Sequence, residues 1–378
     1  MNHPSHAAAL LAGLALVAVP LTVGQVPSVL AQELVTGEVS GEAAGEAAGG
    51  LATDPEAVDG VLARASAAGG SLPREGELVV VSFGETGPSI SRMEVAFGEQ
   101  GVRILREGGT EVGRVDGQGF LRSSSRLLQV GGVEQVPVSS ERLHAKYDAA
   151  VGAPVPLDTG LAVAVSLSER ATGTLRETLY ADQITGLVVR RETYGRDGAP
   201  VRTVAYTRLE VAERPPAMPR ARGRDVQEHQ VTAADPDLLR ADGFVIPTSL
   251  PRGYELTTVL EVPDAVVPTL HLIYADGLYS LSVFQQRGRM KPTATAGASE
   301  LRTATGGAVW RWPGSEPRRI IWSGDGATFT ALADTPTDEL LDAIVGLPTD
   351  PPPSILGRLD RGLSRVARWV SPKDRSTT

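Results

Sequence analysis

Between residues 174 and 211 hydrophobic and polar positions alternate along the chain. Val201, Thr203, Ala205, Thr207, Leu209 and Val211 fall on one side of an extended run, and Arg202, Val204, Tyr206, Arg208 and Glu210 on the other. A period of two predicts a half-buried strand. The run Leu187 to Tyr194 has the same texture, and Asp182 to Gly186 and Gly195-Arg196-Asp197-Gly198 supply the turns on either side of it. Aspartate and glycine tolerate the positive φ that tight hairpins need. The pattern predicts a three-stranded antiparallel meander.

Similar runs precede it. Asp54-Pro55 suits the start of a helix, and Val58, Val61, Leu62 and Ala65 follow at helical spacing up to Gly69-Gly70. Short extended runs then cover Leu78–Phe83, Ser91–Phe97, Val102–Arg106, Glu111–Val115, Phe120–Arg122 and Arg126–Val130, each bounded by turn residues. Leu143, Tyr147, Ala150 and Val151 share one face of an expected helix over 140–151, after which Leu161, Val163, Val165 and Leu167 return to strand spacing. Downstream, Leu270–Tyr274 and Leu278–Gln285 flank Ala275-Asp276-Gly277, a hairpin signature. Ala308–Trp312, Arg319–Trp322 and Ala327–Leu332 predict further strands, and Thr335-Pro336 caps a helix burying Leu340, Leu341 and Ile344. The fold class expected is α+β.

Length and composition divide the chain. At 378 residues it suits about two domains. Residues 1–31 read as a secretory signal: an apolar stretch Ala7–Val19, then small residues ending at Ala31. A retained anchor is the alternative, and either places the body outside the cytoplasmic membrane. Residues 32–53 are a Gly/Ala/Glu linker, 54–213 a first domain, 214–235 a Pro- and Arg-rich linker, and 236–346 a smaller second domain. Residues 347–378 hold a proline break and a helical stripe with Arg358, Arg361, Arg365 and Arg368 on one side. Such a tail suits an anionic membrane surface or an acidic partner, or folds back on the body. The net charge of −9 argues against nucleic acid as a partner, and the absence of cysteine excludes disulfides, thiol nucleophiles and zinc–thiolate sites.

No catalytic signature emerges. HExxH, GxSxG and the P-loop are missing, and Gly117-Gln118-Gly119 lacks the third glycine of a nucleotide loop. His144, His229 and His271 are far apart in sequence, and His271 in a strand reads as a packed residue. Asp338-Glu339 sits at a helix start, where carboxylates favour the dipole. Trp310, Trp312 and Trp322 fit a core better than a carbohydrate platform. The expected protein is not an enzyme and needs no cofactor.

Two blocks carry a family resemblance. Leu175-Arg-Glu-Thr-Leu-Tyr, Thr185-Gly-Leu-Val-Val-Arg-Arg-Glu-Thr-Tyr, Asp197-Gly and Val204-Ala-Tyr-Thr resemble the first domain of the RseB/MucB family of extracytoplasmic sigma-factor regulators. Leu250-Pro-Arg-Gly-Tyr and Leu272-Ile-Tyr-Ala-Asp-Gly-Leu-Tyr-Ser-Leu-Ser-Val-Phe resemble its second domain, in the same order. The resemblance implies an N-terminal antiparallel half-barrel, similar to LolA and LppX, with helices on its concave face. It also implies binding of the extracytoplasmic part of an anti-sigma factor, protection of that factor from proteolysis, and release by a lipid-derived ligand. A lipid or lipoprotein carrier is the alternative. Val95, Phe97, Val163, Val165, Leu179 and Val189 are the expected lining of an apolar cavity, and Tyr274, Tyr279 and Phe284 the expected partner contacts.

Overall fold

A computed structural model describes residues 54–84, 87–98, 101–106, 109–115, 120–123, 126–129, 141–213, 229–231, 236–262, 269–288, 290–312 and 318–350. The expected signal, the 32–53 linker, most of 214–235 and the arginine tail lie outside the described residues. The first described element is helix α1 (Pro55–Ser71), with Asp54 capping the Glu56 amide at 3.1 Å. It runs through Gly69-Gly70, where the sequence suggested a stop. Arg74 explains this: its Nη1 donates to the carbonyls of Gly69 (3.1 Å) and Leu72 (2.7 Å), so a cation satisfies the exposed end of the helix.

Strands β1 (Arg74–Gly84), β2 (Gly87–Gly98), β3 (Gly101–Arg106), β4 (Gly109–Val115), β5 (Phe120–Ser123) and β6 (Arg126–Gln129) follow as successive hairpins. Helix α2 spans only Glu141–Lys146, and β7 (Tyr147–Leu157) begins at once. The longer helix expected over 140–151 is thus corrected. Pro154 and Pro156 bar helix continuation, and β7 accommodates them because it is an edge strand with a bulge between Val151 and Pro154. Strand β8 (Gly160–Glu169) leads into the meander β9 (Leu175–Asp182), β10 (Val188–Tyr194) and β11 (Pro200–Val211).

Among the described residues, eleven strands form one antiparallel sheet in the order β6-β5-β4-β3-β2-β1-β11-β10-β9-β8-β7. Its end strands do not pair with each other, so it stays open. The second sheet contains β12 (His229–Val231), β13 (Ser249–Leu250), β14 (Tyr254–Val262), β15 (Thr269–Ala275), β16 (Ser280–Arg287), β17 (Ser299–Arg302), β18 (Ala308–Arg311), β19 (Arg318–Gly324) and β20 (Ala327–Ala333). Their order is β12-β14-β15-β16-β20-β19-β18-β17, with β13 on β14. Helix α3 (Pro236–Ala241) precedes β13, and α4 (Thr337–Ala343) follows β20. Pro336, rather than the expected Thr335, holds the N-cap position of α4, and no side chain caps it. The class is α+β.

The strand registers assign the faces of the first sheet. One rung aligns Val80, Val204, Arg191, Leu179, Val165 and Val151. The next aligns Ser82, Arg202, Thr193, Glu177, Leu167 and Ala149. This is the inner face, where Val58, Leu62 and Ala65 of α1 join the buried cluster. In β11 the inward residues are therefore Arg202, Val204 and Tyr206, the set that looks the more polar in sequence. The inner face is apolar toward one end of the strands and charged toward the other. The buried apolar cluster continues through Leu143 and Tyr147 into the second sheet, where Leu272, Val283, Ile320, Trp322 and Phe329 are fully buried.

Candidate functional site

The charged end of the inner face meets the second sheet, and there the chain concentrates its buried ionic groups. Register places Arg191 beside Leu179 and Glu177 beside Thr193. Arg191 and Glu177 form a two-point pair, with Nη2 donating to Oε2 at 3.0 Å. Asp334, just beyond β20, lies 3.9 Å from Arg191 and accepts the Ser280 amide at 3.1 Å. In β9, Leu167 faces Glu177 while Ser168 faces Leu175, so Arg176 is the extra residue of a bulge. A bulge re-aims its side chain, and Arg176 reaches Glu339 of α4. Glu339 also takes Lys146 of α2 at 3.0 Å, so one carboxylate, 1% exposed, joins two elements of the first sheet unit. Glu339 lies in the first turn of α4, as expected, and also forms a cross-unit bridge.

The tip of the β15–β16 hairpin completes the seam. Asp276 accepts the amides of Leu278 (2.9 Å) and Tyr279 (2.7 Å) through one oxygen. Its other oxygen takes Lys146 and the Tyr147 hydroxyl, the latter at 2.7 Å. Burial first, and the Asp276 charge next, push the Tyr147 hydroxyl well above the ordinary tyrosine range, which keeps it a donor. The Tyr279 hydroxyl donates back across the seam to the Arg176 carbonyl at 3.1 Å. Gly277 makes the close approach possible. Its φ is +102°, and a Cβ there would lie 2.6 Å from the Leu143 backbone nitrogen.

Around this buried centre lies a rim. Arg142 pairs with Glu255 at 2.7 Å, Arg252 with Glu169 at 3.0 Å, and Arg196 with Asp338 at 3.2 Å and Asp342 at 2.6 Å. The Arg142 and Arg196 pairs are exposed and contribute ~0–1 kcal/mol each, whereas Glu169 of the Arg252 pair is buried. Removing one member of a buried pair costs about 3–5 kcal/mol, because its partner is left uncompensated. The centre therefore governs both the docking and its register. Most cross-unit pairs run one way, with Lys146, Arg176, Arg191 and Arg196 meeting Asp276, Asp334, Glu339, Asp338 and Asp342, while Arg252–Glu169 runs the other.

Of the six residues expected to line an apolar cavity, Val95, Phe97, Val165 and Leu179 lie in the buried cluster. Val163 faces Ala181 in the register but is half-buried, and Val189 is buried at the β10 bulge outside that cluster. Tyr274 and Tyr279, expected at a partner surface, are buried inside the chain; the Tyr274 hydroxyl donates to the Pro247 carbonyl at 3.0 Å. Phe284 is half-buried and stacks on the fully buried His271, with ring centroids 4.1 Å apart. Trp322 is buried against Phe329, while Trp310 and Trp312 are half-buried. The arginines 358, 361, 365 and 368 lie outside the described residues. The seam itself went unread in the sequence. Its one signal was charge in the middle of strands, Arg176-Glu177 and Arg190-Arg191, where an exposed edge was not required. Among the described residues no group of three or more His, Asp or Glu is placed to hold a metal, and no helix is long and apolar enough to cross a membrane.

Two outcomes follow from the seam. Gly277→Ala should lower global stability, with a cost of at least the roughly 1–3 kcal/mol expected of a strained backbone position, measured by denaturant unfolding; an unchanged midpoint would contradict the close docking. The second concerns pH. Burial pushes the Glu177 carboxyl up to about 7, against the opposing pull of Arg191. A raised folded-state pKa means the folded protein holds a proton that the unfolded chain has released. The contribution of Glu177 to stability is then fully present below pH 4.5, its unperturbed value, and is lost as pH rises through about 7. Relative to Glu177→Gln, the natural protein should lose stability over that window; a difference that stays flat or grows with pH would contradict it.

The chain was compared with known proteins. No family model matches it, and no curated protein matches it. Among solved structures it is similar to MucB, with 19% identity, 77% of this chain and 98% of that chain covered, and a TM-score of 0.46. It is also similar to the Pseudomonas aeruginosa MucA/MucB complex structure, with 20% identity, 78% and 98% covered, and a TM-score of 0.42. A putative outer membrane lipoprotein-sorting protein domain from Vibrio parahaemolyticus is similar over 40% of this chain and 91% of that one, at 9% identity and a TM-score of 0.18.

Proposed function

We propose that this chain is an exported regulatory binding protein that holds the extracytoplasmic domain of a membrane-anchored anti-sigma factor and modulates its proteolysis. One observation carries the reading. Both blocks that carry the resemblance to the RseB/MucB family contribute residues to the seam, beside Lys146, Tyr147, Asp334 and Glu339 from outside them. Arg176, Glu177 and Arg191 come from the first block, and Asp276, Gly277 and Tyr279 from the second. The resemblance therefore concerns how two antiparallel units are fixed to one another, which is what a two-unit binding protein requires.

Helix α2 gives the mechanism a physical route. Leu143 is in the buried cluster, and His144 Nε2 lies 3.0 Å from Asp59 of α1. Arg142 and Lys146 of the same helix contact the second unit. An acyl chain entering beneath α1 would gain about 0.8 kcal/mol per buried methylene and would move α2. That would reset the seam only by the chain's differential affinity for the two arrangements. The protein acts in the cell envelope, without enzymatic turnover or a cofactor, and the arginine tail adds peripheral contact with an anionic surface. A lipid or lipoprotein carrier is the second reading, favoured by the helix-covered apolar end of the inner face.

Immobilised full-length protein should capture the purified external domain of the cognate anti-sigma factor and slow its proteolysis. Absence of both capture and protection would overturn the regulatory reading. Native mass spectrometry that shows bound lipid without any protein partner would favour the carrier.

A further inference from the structure

The second sheet carries a pair of arginines that the seam does not use. Arg311 ends β18 and lies opposite Ile320 of β19. Arg318 begins β19, two residues before Ile320, so both arginines fall on the face that also buries Val309, Ile320 and Trp322. Diagonal neighbours of this kind sit roughly 7–8 Å apart, within reach of long side chains. Both are half-buried, and Arg311 Nε and Arg318 Nη1 are sealed from solvent with no hydrogen-bond partner among the described residues. Arg311 Nη1 reaches the Thr337 hydroxyl at the start of α4, a marginal 3.5 Å.

A guanidinium donor shut away from water without an acceptor is costly. Among the described residues, the carboxylates just after β20 and in α4 are committed elsewhere: Asp334 to the Ser280 amide and toward Arg191, Asp338 to Arg196, and Glu339 to Lys146 and Arg176. Across the strand from Arg311 stands Ser299, small and exposed, which leaves an approach open. The neighbouring Arg319 differs, since it stacks over Trp312 at 3.7 Å and belongs to the opposite face.

We propose that Arg311 and Arg318, with the Thr337 hydroxyl, form a binding site for a single oxyanion, a carboxylate or a phosphoryl group. Two guanidinium forks match the paired oxygens of either group, and charge-assisted bonds of this type are the stronger class. The site stands whether or not the inner face of the first sheet takes a ligand, because it shares no residue with it.

The test uses the full chain and the anions alone. Unfolding midpoints are followed while inorganic phosphate, or separately acetate, replaces chloride at constant ionic strength and pH. The natural protein should show a saturable rise, as ligand binding to the folded state requires. Arg311→Gln and Arg318→Gln should each weaken the apparent affinity about tenfold or more, the loss expected when a charged hydrogen bond is removed. The double variant should show no rise while retaining a cooperative transition of its own. Arg92→Gln, at an exposed position of β2, should keep the full effect. A rise with phosphate alone assigns a phosphoryl ligand, and a rise with acetate assigns a carboxylate. No saturable rise with either anion, or an equal rise in the double variant, would overturn the proposal.

Discussion

Glu339 sits between Lys146 and Arg176 in a place that water barely reaches, and the rest of the architecture depends on that contact. Ions moved out of water lose several kcal/mol of solvation each, which their mutual attraction repays only in good geometry with the remaining lone pairs satisfied. Here the geometry is supplied from four separate elements. Helix α2 brings Lys146, the β9 bulge brings Arg176, α4 brings Glu339, and the β15–β16 hairpin brings Asp276. Loss of Arg176 leaves Glu339 with Lys146 alone, and loss of Asp276 leaves Lys146 with Glu339 alone and strands the Tyr147 hydroxyl. An apolar seam would bind as well, but it would tolerate sliding. A charged one fixes a single register, because any other arrangement leaves an ion unpaired in the interior.

The first sheet prepares this contact along its own strands. Its inner face carries Leu78 and Tyr206 toward one end and Arg202 and Glu177 toward the other, and the rung between them sets Arg191 among Val204, Leu179 and Val165. One strand thus serves a greasy core and an ionic joint within four or five residues. The bulge at Arg176 and the left-handed glycine at position 277 are the two local departures from regular structure that let the joint close. Both lie in the blocks that resemble the RseB/MucB family.

Much of the fold was legible in the sequence because strand period and turn chemistry are local. The meander, the hairpin at Asp276-Gly277 and the helix after Pro55 all follow from spacing that a few residues determine. Helix α2 was misjudged for the same reason. Leu143, Tyr147 and Val151 satisfy a helical spacing, yet Tyr147 to Leu157 pairs with β8, and only that long-range ladder together with Pro154 and Pro156 decides the matter. The seam was out of reach altogether. Glu339 looks like an ordinary acidic residue in a first helical turn, and nothing near it in the chain announces Lys146, 193 positions away. Tyr274 and Tyr279 resembled partner contacts because aromatic residues in a short hairpin suit either a surface or a core, and burial distinguishes them only once the second sheet is assembled.

The central claim is that Arg176 and Glu339 act as one unit in holding the two sheets together. A double-mutant cycle with Arg176→Met, Glu339→Met and the pair, followed by denaturant unfolding, tests it most directly. The account predicts that each single change costs about 3–5 kcal/mol and that the double change costs far less than their sum. Costs that simply add would show that the two residues do not depend on one another, and would contradict the account.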